Sequence, residues 1–180
     1  RGSAKKKRFE AYMSQHMQGE TVDEFFYPFV QRYGDVSLIG VSSAIPTRPM
    51  SAVGEVGTAQ LARLAQVLEA EKGQLRIVLI HHPPGEGVSH KGHELLDLEA
   101  FGRVIAEKGA ELILHGHEHV QLDYELKGPD GPVPVHGIAS GTSRSHKPGR
   151  EATFAVYDCD GEGFRRRVWQ LEGNTFRELT

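Results

Sequence analysis

The order of apolar segments predicts an α/β fold, and three observations carry that prediction. Arg76 to His81 and Glu111 to Leu114 are short, near-continuous apolar runs, the pattern of parallel strands buried on both faces. Before and between them, apolar residues recur at helical spacing: Leu61, Leu64, Ala65 and Leu68, then Leu98, Phe101 and Ile105. Strand, helix, strand, helix, strand is the alternation that crossover connections build into one sheet.

Taken in order, the elements read as follows. Lys5-Lys6-Lys7-Arg8 reads as a solvated helix start or a frayed end, because four cations in an acidic chain are a weak signal. Phe25, Phe26, Tyr27 and Phe29 read as core or as a subunit contact. Val36 to Val41 is a short buried strand. Residues 44–57 carry Pro46, Pro49, Gly54 and Gly57 and form a loop. A helix then spans about Thr58 to Lys72, with Gly73 as its stop. The strand ending at His81 meets Pro83-Pro84, which cannot donate ladder hydrogen bonds. The second helix closes at Gly109, and the next strand ends at His115-Gly116. Beyond residue 120 the pattern turns β-rich. Leu122 to Leu126, Val133 to Ala139, Thr153 to Asp158 and Phe164 to Leu171 are short strands separated by turns such as Gly128-Pro129-Asp130-Gly131. Trp169 and Cys159 belong in or beside the core.

Composition bounds the function. The chain has 180 residues, 21 Lys plus Arg against 24 Asp plus Glu, and a net charge of −3. That balance disfavours nucleic acid as a partner, since dense phosphate needs a clustered positive surface. No apolar run approaches the roughly 20 residues of a membrane span. A single cysteine, Cys159, excludes an intramolecular disulfide framework and a cysteine zinc cluster. Arg1 stands where an initiator would, so a longer natural chain is expected; a cytoplasmic location is a separate expectation, which that missing start does not inform.

Histidine is the informative residue. There are ten, and seven lie from His81 to His119. His81-His82-Pro83-Pro84 and His115-Gly116-His117-Glu118-His119 both follow predicted buried strands, and ligands of open α/β sheets bind at the carboxyl ends of strands. Imidazoles two apart on extended backbone point the same way, so His117 and His119 can reach one metal centre while Glu118 turns away. His90 and His93 fall in the polar loop from Gly85 to Glu94, where a lid over substrate is one reading. Lys91, His93 and Arg144 are candidate phosphate neutralisers, and Gly141 to His146 is a candidate substrate-contacting loop.

These two clusters, in this order with a helix between and the strand Val135 to Ser140 behind, resemble the last two sequence blocks of the calcineurin-like metallophosphoesterase family. The bacterial cyclic-nucleotide phosphodiesterase branch is the nearest in pattern. The resemblance covers roughly residues 30–145, with a β-rich tail over 146–180. It implies one domain, residues 1–180 being its C-terminal part, within a four-layer α-β-β-α sandwich. It implies hydrolysis of a phosphodiester or phosphomonoester in a phosphorylated small molecule, at a dinuclear centre of two divalent or trivalent ions of the Fe, Mn or Zn class. By that carry-over His81 and His117 bind one ion and His119 the other. His82 stands behind the ligands or faces substrate, and His115 is structural.

The family's first three blocks, Asp-x-His, Gly-Asp-x-x-Asp and Gly-Asn-His-Asp/Glu, do not occur in these 180 residues. Gly34-Asp35 and Gly173-Asn174 have the wrong followers. The N-terminal half of the catalytic domain is therefore expected to be missing, and the catalytic residues with it. The consequence is electrostatic. Two dications about 3.5 Å apart repel by roughly 20 kcal/mol at an effective dielectric of about 20. A bridging carboxylate and hydroxide offset this, whereas neutral imidazoles cannot. At most one weakly bound ion, no turnover, and self-association through exposed sheet or the aromatic segment are the expectations for this chain alone. Two alternatives stay open: a mononuclear zinc hydrolase built on His81, His117 and His119, and a non-catalytic remnant that binds a protein partner.

Overall fold

The computed structural model describes residues 11–12, 19–21, 26–143 and 149–179. Lys5 to Arg8, Phe25, Arg144 and His146 lie outside the described residues. Among the described residues these elements follow one another: β1 (Glu20–Thr21), β2 (Phe29–Tyr33), β3 (Val36–Gly40), α1 (Thr58–Ala70), β4 (Leu75–Ile80), α2 (Leu98–Lys108), β5 (Leu112–His115), β6 (Leu122–Lys127), β7 (Pro132–Gly137), β8 (Thr153–Cys159), β9 (Phe164–Glu172) and β10 (Thr175–Glu178). The fold class is α/β as expected. A seven-stranded sheet runs β1-β2-β3-β4-β5-β7-β6, and a three-stranded sheet runs β10-β9-β8. Strands β3, β4, β5 and β7 pair in parallel, and the flanking pairs are antiparallel.

Both helices bury their apolar stripes on one face of the large sheet. Leu61, Leu64, Val67 and Leu68 of α1 and Phe101 and Ile105 of α2 meet Ile39, Val78, Ile80, Ile113 and Val135. Alternation along each strand sends the other residues to the opposite face. There Leu75, Ile77 and Leu112 are buried against Tyr157, Cys159 and Phe164 of the small sheet. Helices, sheet and second sheet make three layers among the described residues. A fourth is not seen among them.

The small sheet covers only part of that second face. Leu79 lies on the same side of β4 as Leu75 and Ile77, yet is 36% exposed. The expectation that this strand is buried on both faces therefore fails at its carboxyl end. With Tyr27, Phe29, Leu38 and Leu114, Leu79 lines an open apolar groove of about 490 Å³ that reaches His81. Cys159 packs beneath the large sheet, as expected. Trp169 stacks on Phe154, with ring centroids 5.2 Å apart, under the Arg167 guanidinium.

The opposite, amino-terminal edge of the sheet is held by one guanidinium. Buried Arg76 donates to Glu111 through Nη2 (2.7 Å) and Nε (3.0 Å), and through Nη1 to the carbonyls of Leu68 and Lys108. Those carbonyls belong to the last turns of α1 and α2, where unpaired C=O groups concentrate negative charge. One residue of β4 thus fastens both helices to the sheet. Glu71, just past α1, is fixed similarly by Arg32 and the Ser37 hydroxyl.

Arg76→Met strips the pairing from Glu111 and from both helix ends, and is expected to cost roughly 3 kcal/mol, read as a lower urea midpoint. Leu79→Lys places a charge in the open groove, and sedimentation velocity of the chain and of this variant tests the expected self-association: a smaller species in the variant supports contact through this apolar patch, and a monomeric parent chain overturns the expectation.

Candidate metal centre

The parallel register of β4 and β5 pairs Ile80 with His115. Both chains therefore leave the sheet at the same edge, and the Gly116 amide donates to the His81 carbonyl at 3.2 Å. One residue further on, His117 Nδ1 lies 3.1 Å from His81 Nε2. Two imidazole nitrogens on one tetrahedral zinc, each about 2.0–2.1 Å from the ion, stand about 3.3–3.4 Å apart. The pair is spaced for a shared ion.

His82 sits behind this pair, 5% exposed. Its ring lies 4.3 Å from that of His117 and 5.0 Å from that of His81, centroid to centroid. Both of its nitrogens are engaged. Nε2 is 2.9 Å from the Ala52 carbonyl, which can only accept, so Nε2 carries the proton. Nδ1 then accepts from the Ser43 hydroxyl at 2.7 Å. With no lone pair left, His82 is not a ligand but a brace, in keeping with its expected place behind the ligands. The brace fits tightly: a Cβ on Gly54 would come within 2.3 Å of the His82 ring, so only glycine is tolerated there.

His115 is structural as well. Its Nδ1 donates to the Gly116 carbonyl at 3.0 Å, and its ring fills the space over Gly137 that a Cβ would occupy. The ring is buried, and Nε2 has no partner.

The second cluster departs from the expected geometry. His117 and His119 have φ of 73° and 55°, so the backbone turns left-handed at both. Non-glycine residues seldom adopt this region, and histidine is among those that do. Two left-handed turns abolish the alternation that pointed Glu118 away. Its side chain instead folds inward, 6% exposed. A candidate ligand atom of Glu118, one of His117 and one of His93 all lie within 4.8 Å of one another. His93 reaches the site because residues 92–96 are strapped to residues 52–54: Ala52 donates to Gly92, Gly54 to Glu94, and Leu96 back to Gly54. The His93 and His117 rings are 5.3 Å apart. His119 is exposed, and no ring contact joins it to the others among the described residues. It lies near enough to disfavour protonation of His81 and His117.

The cluster favours neutral imidazole, the form that ligates metal. Burial lowers His81, His115 and His117 below the ordinary histidine range, and holds His82 at about 4. The residues suit a divalent cation. Among the described residues, His117 Nε2 and Glu118 Oε1 are buried polar atoms with no hydrogen bond, and an imidazole and a carboxylate are ordinary zinc donors. The sequence offered His93 as a lid residue or phosphate neutraliser, not as a ligand, and turned Glu118 away from the site. No spacing rule connects them, and only the left-handed turns and the strap bring them together.

No protein-family profile matches the chain. Nor does any curated protein. Among solved structures it is similar to a protein named "Putative 5'-Nucleotidase from Staphylococcus aureus", crystallised in complex with alpha-ketoglutarate, at 16% identity and a TM-score of 0.38. The match covers 84% of this chain and 28% of that one, so the chain spans under a third of that protein's length. Among the described residues, no helix is long and apolar enough to cross a membrane.

The depressed histidines set a pH dependence. His82 is neutral when folded down to about pH 4, whereas in the unfolded chain it takes up a proton near 6.5. The unfolded state therefore binds more protons in between, and folding stability falls as pH drops from about 6.5 toward 4. Urea melts at pH 7.5 and pH 5 are expected to show this loss, and His82→Asn to reduce the slope without abolishing it, since His81, His115 and His117 shift the same way.

Proposed function

We propose that this chain is part of a metal-dependent hydrolase of phosphoester bonds, contributing the histidine half of a dinuclear centre. The 3.1 Å approach of His81 to His117 across two parallel strand ends carries the reading. In it, His81 and His117 hold one ion and His119 reaches toward the other. The ions, of the Fe, Mn or Zn class, would polarise a phosphoryl oxygen and lower the pKa of bound water.

What the chain's own residues do is narrower. His82, locked by Ser43 and Ala52, keeps the His81 and His117 rings from collapsing inward and excludes water behind them. His90 and His93, on the strapped loop, face the phosphorylated small-molecule substrate from above. The bridging carboxylate and the remaining ligands would come from the Asp-x-His, Gly-Asp-x-x-Asp and Gly-Asn-His-Asp/Glu blocks that these residues lack, so the chain by itself holds at most one ion and does not turn over.

The test is manganese-dependent hydrolysis of a chromogenic phosphodiester, run on these 180 residues and on a longer polypeptide that joins them to the three blocks. Turnover is expected only from the longer form. His81→Ala and His117→Ala should each lower its kcat/KM by well over 100-fold, because even outer partners of metal ligands cost about 10–100-fold. Turnover by the short chain would overturn the incomplete centre. Indifference to both substitutions would overturn the assignment of the histidines.

A further inference from the structure

Glu118 is the anomaly of this molecule. Its side chain is 6% exposed, and among the described residues Oε1 is buried without a hydrogen-bond partner. A buried carboxylate is costly unless paired or bound to a metal. Among the described residues, the nearby basic side chains make no hydrogen bond to this carboxylate. Arg150 Nη1 is directed at the Glu118 backbone carbonyl, at 3.5 Å. His90 Nε2 stands 3.9 Å from Oε2, beyond hydrogen-bond reach, on a side chain 78% exposed. Beside Glu118, His117 Nε2 is likewise buried and makes no well-formed hydrogen bond among the described residues, although the ring lies close to the His93 backbone. The third group at this spot is the exposed imidazole of His93, and one ligand atom from each residue lies within 4.8 Å of the other two.

We infer that His93, His117 and Glu118 form a mononuclear metal site of zinc type, assembled from the strapped loop and the left-handed turn of this chain alone. Two imidazoles and one carboxylate form a ligand set of catalytic zinc, which leaves a fourth position open to water or a ligand. Donor atoms on one tetrahedral zinc sit about 3.3–3.4 Å apart, so the three atoms need only close in, and His93 is exposed and on a loop. The site goes beyond the phosphoesterase reading and does not depend on it. His117 is common to both ligand sets, with Nδ1 facing His81 and Nε2 making no well-formed hydrogen bond among the described residues. His93 and Glu118 belong only to this one.

The experiment titrates Zn²⁺ into the 180-residue chain against a chromophoric chelator. One zinc per chain is expected. His93→Ala and Glu118→Gln should each weaken it by about 100-fold or more, since loss of a direct ligand exceeds the roughly 10–100-fold cost of an outer partner. His136→Ala, whose ring packs on Tyr157 on the other face of the sheet, should leave affinity within about threefold, as a change outside the ligands and their partners does. If His81→Ala weakens zinc while His93→Ala and Glu118→Gln do not, the ion sits on the His81–His117 pair. That result overturns this site and favours the phosphoesterase ligand set. Absence of zinc binding also overturns it. Because His93 is exposed, His93→Ala decides the matter even if Glu118→Gln unfolds.

Discussion

His82 donates from Nε2 to the Ala52 carbonyl and accepts at Nδ1 from the Ser43 hydroxyl. With both nitrogens engaged, it cannot turn without breaking a buried bond, and burial disfavours its ionisation. The rest of the site depends on this lock. Ala52 and Gly54 are held against the ring, and the same short segment carries the backbone bonds to Gly92, Glu94 and Leu96. The position of His93 over the strand ends is thus set by a histidine that binds nothing itself. A buried hydrogen bond to an imidazole contributes only about 1 kcal/mol net. Losing one partner leaves a buried polar atom unsatisfied, which costs more, so the lock is cooperative with the fold around it.

The two ends of the large sheet meet opposite electrostatic demands. At the amino-terminal edge, helix carbonyls and Glu111 gather negative charge, and Arg76 neutralises it. At the carboxyl-terminal edge, imidazoles gather close to one another. Any proton they took up would repel the next, and burial disfavours it further. Neutral rings crowd there at little electrostatic cost, and their lone pairs are the feature a cation seeks. Glu118 adds the negative charge that neutral imidazoles lack.

Much of the scaffold was legible in the sequence because it follows period. Leu61, Leu64 and Leu68 repeat at helical spacing and face the core; Ile77 to Ile80 form a strand because β-branched and apolar residues run without break. Strand β2 escaped notice because Phe29 to Tyr33 mixes buried aromatics with exposed Gln and Arg, and its antiparallel partner β3 decides its form. Strand β10 is exposed along its length and carries no alternation to read. The pairing of His81 with His117 was foreseeable, because neighbouring parallel strands end side by side. Glu118 was misread for a local reason. Alternation holds only on extended backbone, and the chain is not extended at residues 117 and 119.

That local departure is what lets one pentapeptide figure in both proposed ligand sets. On extended backbone, His117 and His119 would share a side and Glu118 would face solvent. Left-handed φ at both histidines folds the carboxylate under His117 and leaves His119 outside. Such backbone is strained in non-glycine residues by about 1–3 kcal/mol each and persists only where the surroundings impose it. Here the imposing contacts are the Gly116 amide on the His81 carbonyl and the His117 ring against His81 and His82. A strained turn stabilised by unbound imidazoles has a direct outlet: an ion taking the lone pairs would replace weak ring contacts with coordination. The geometry that costs the apo chain stability is the geometry that a bound cation rewards, and this links the orphaned oxygen of Glu118 to the same physical cause as the crossing of His81 and His117.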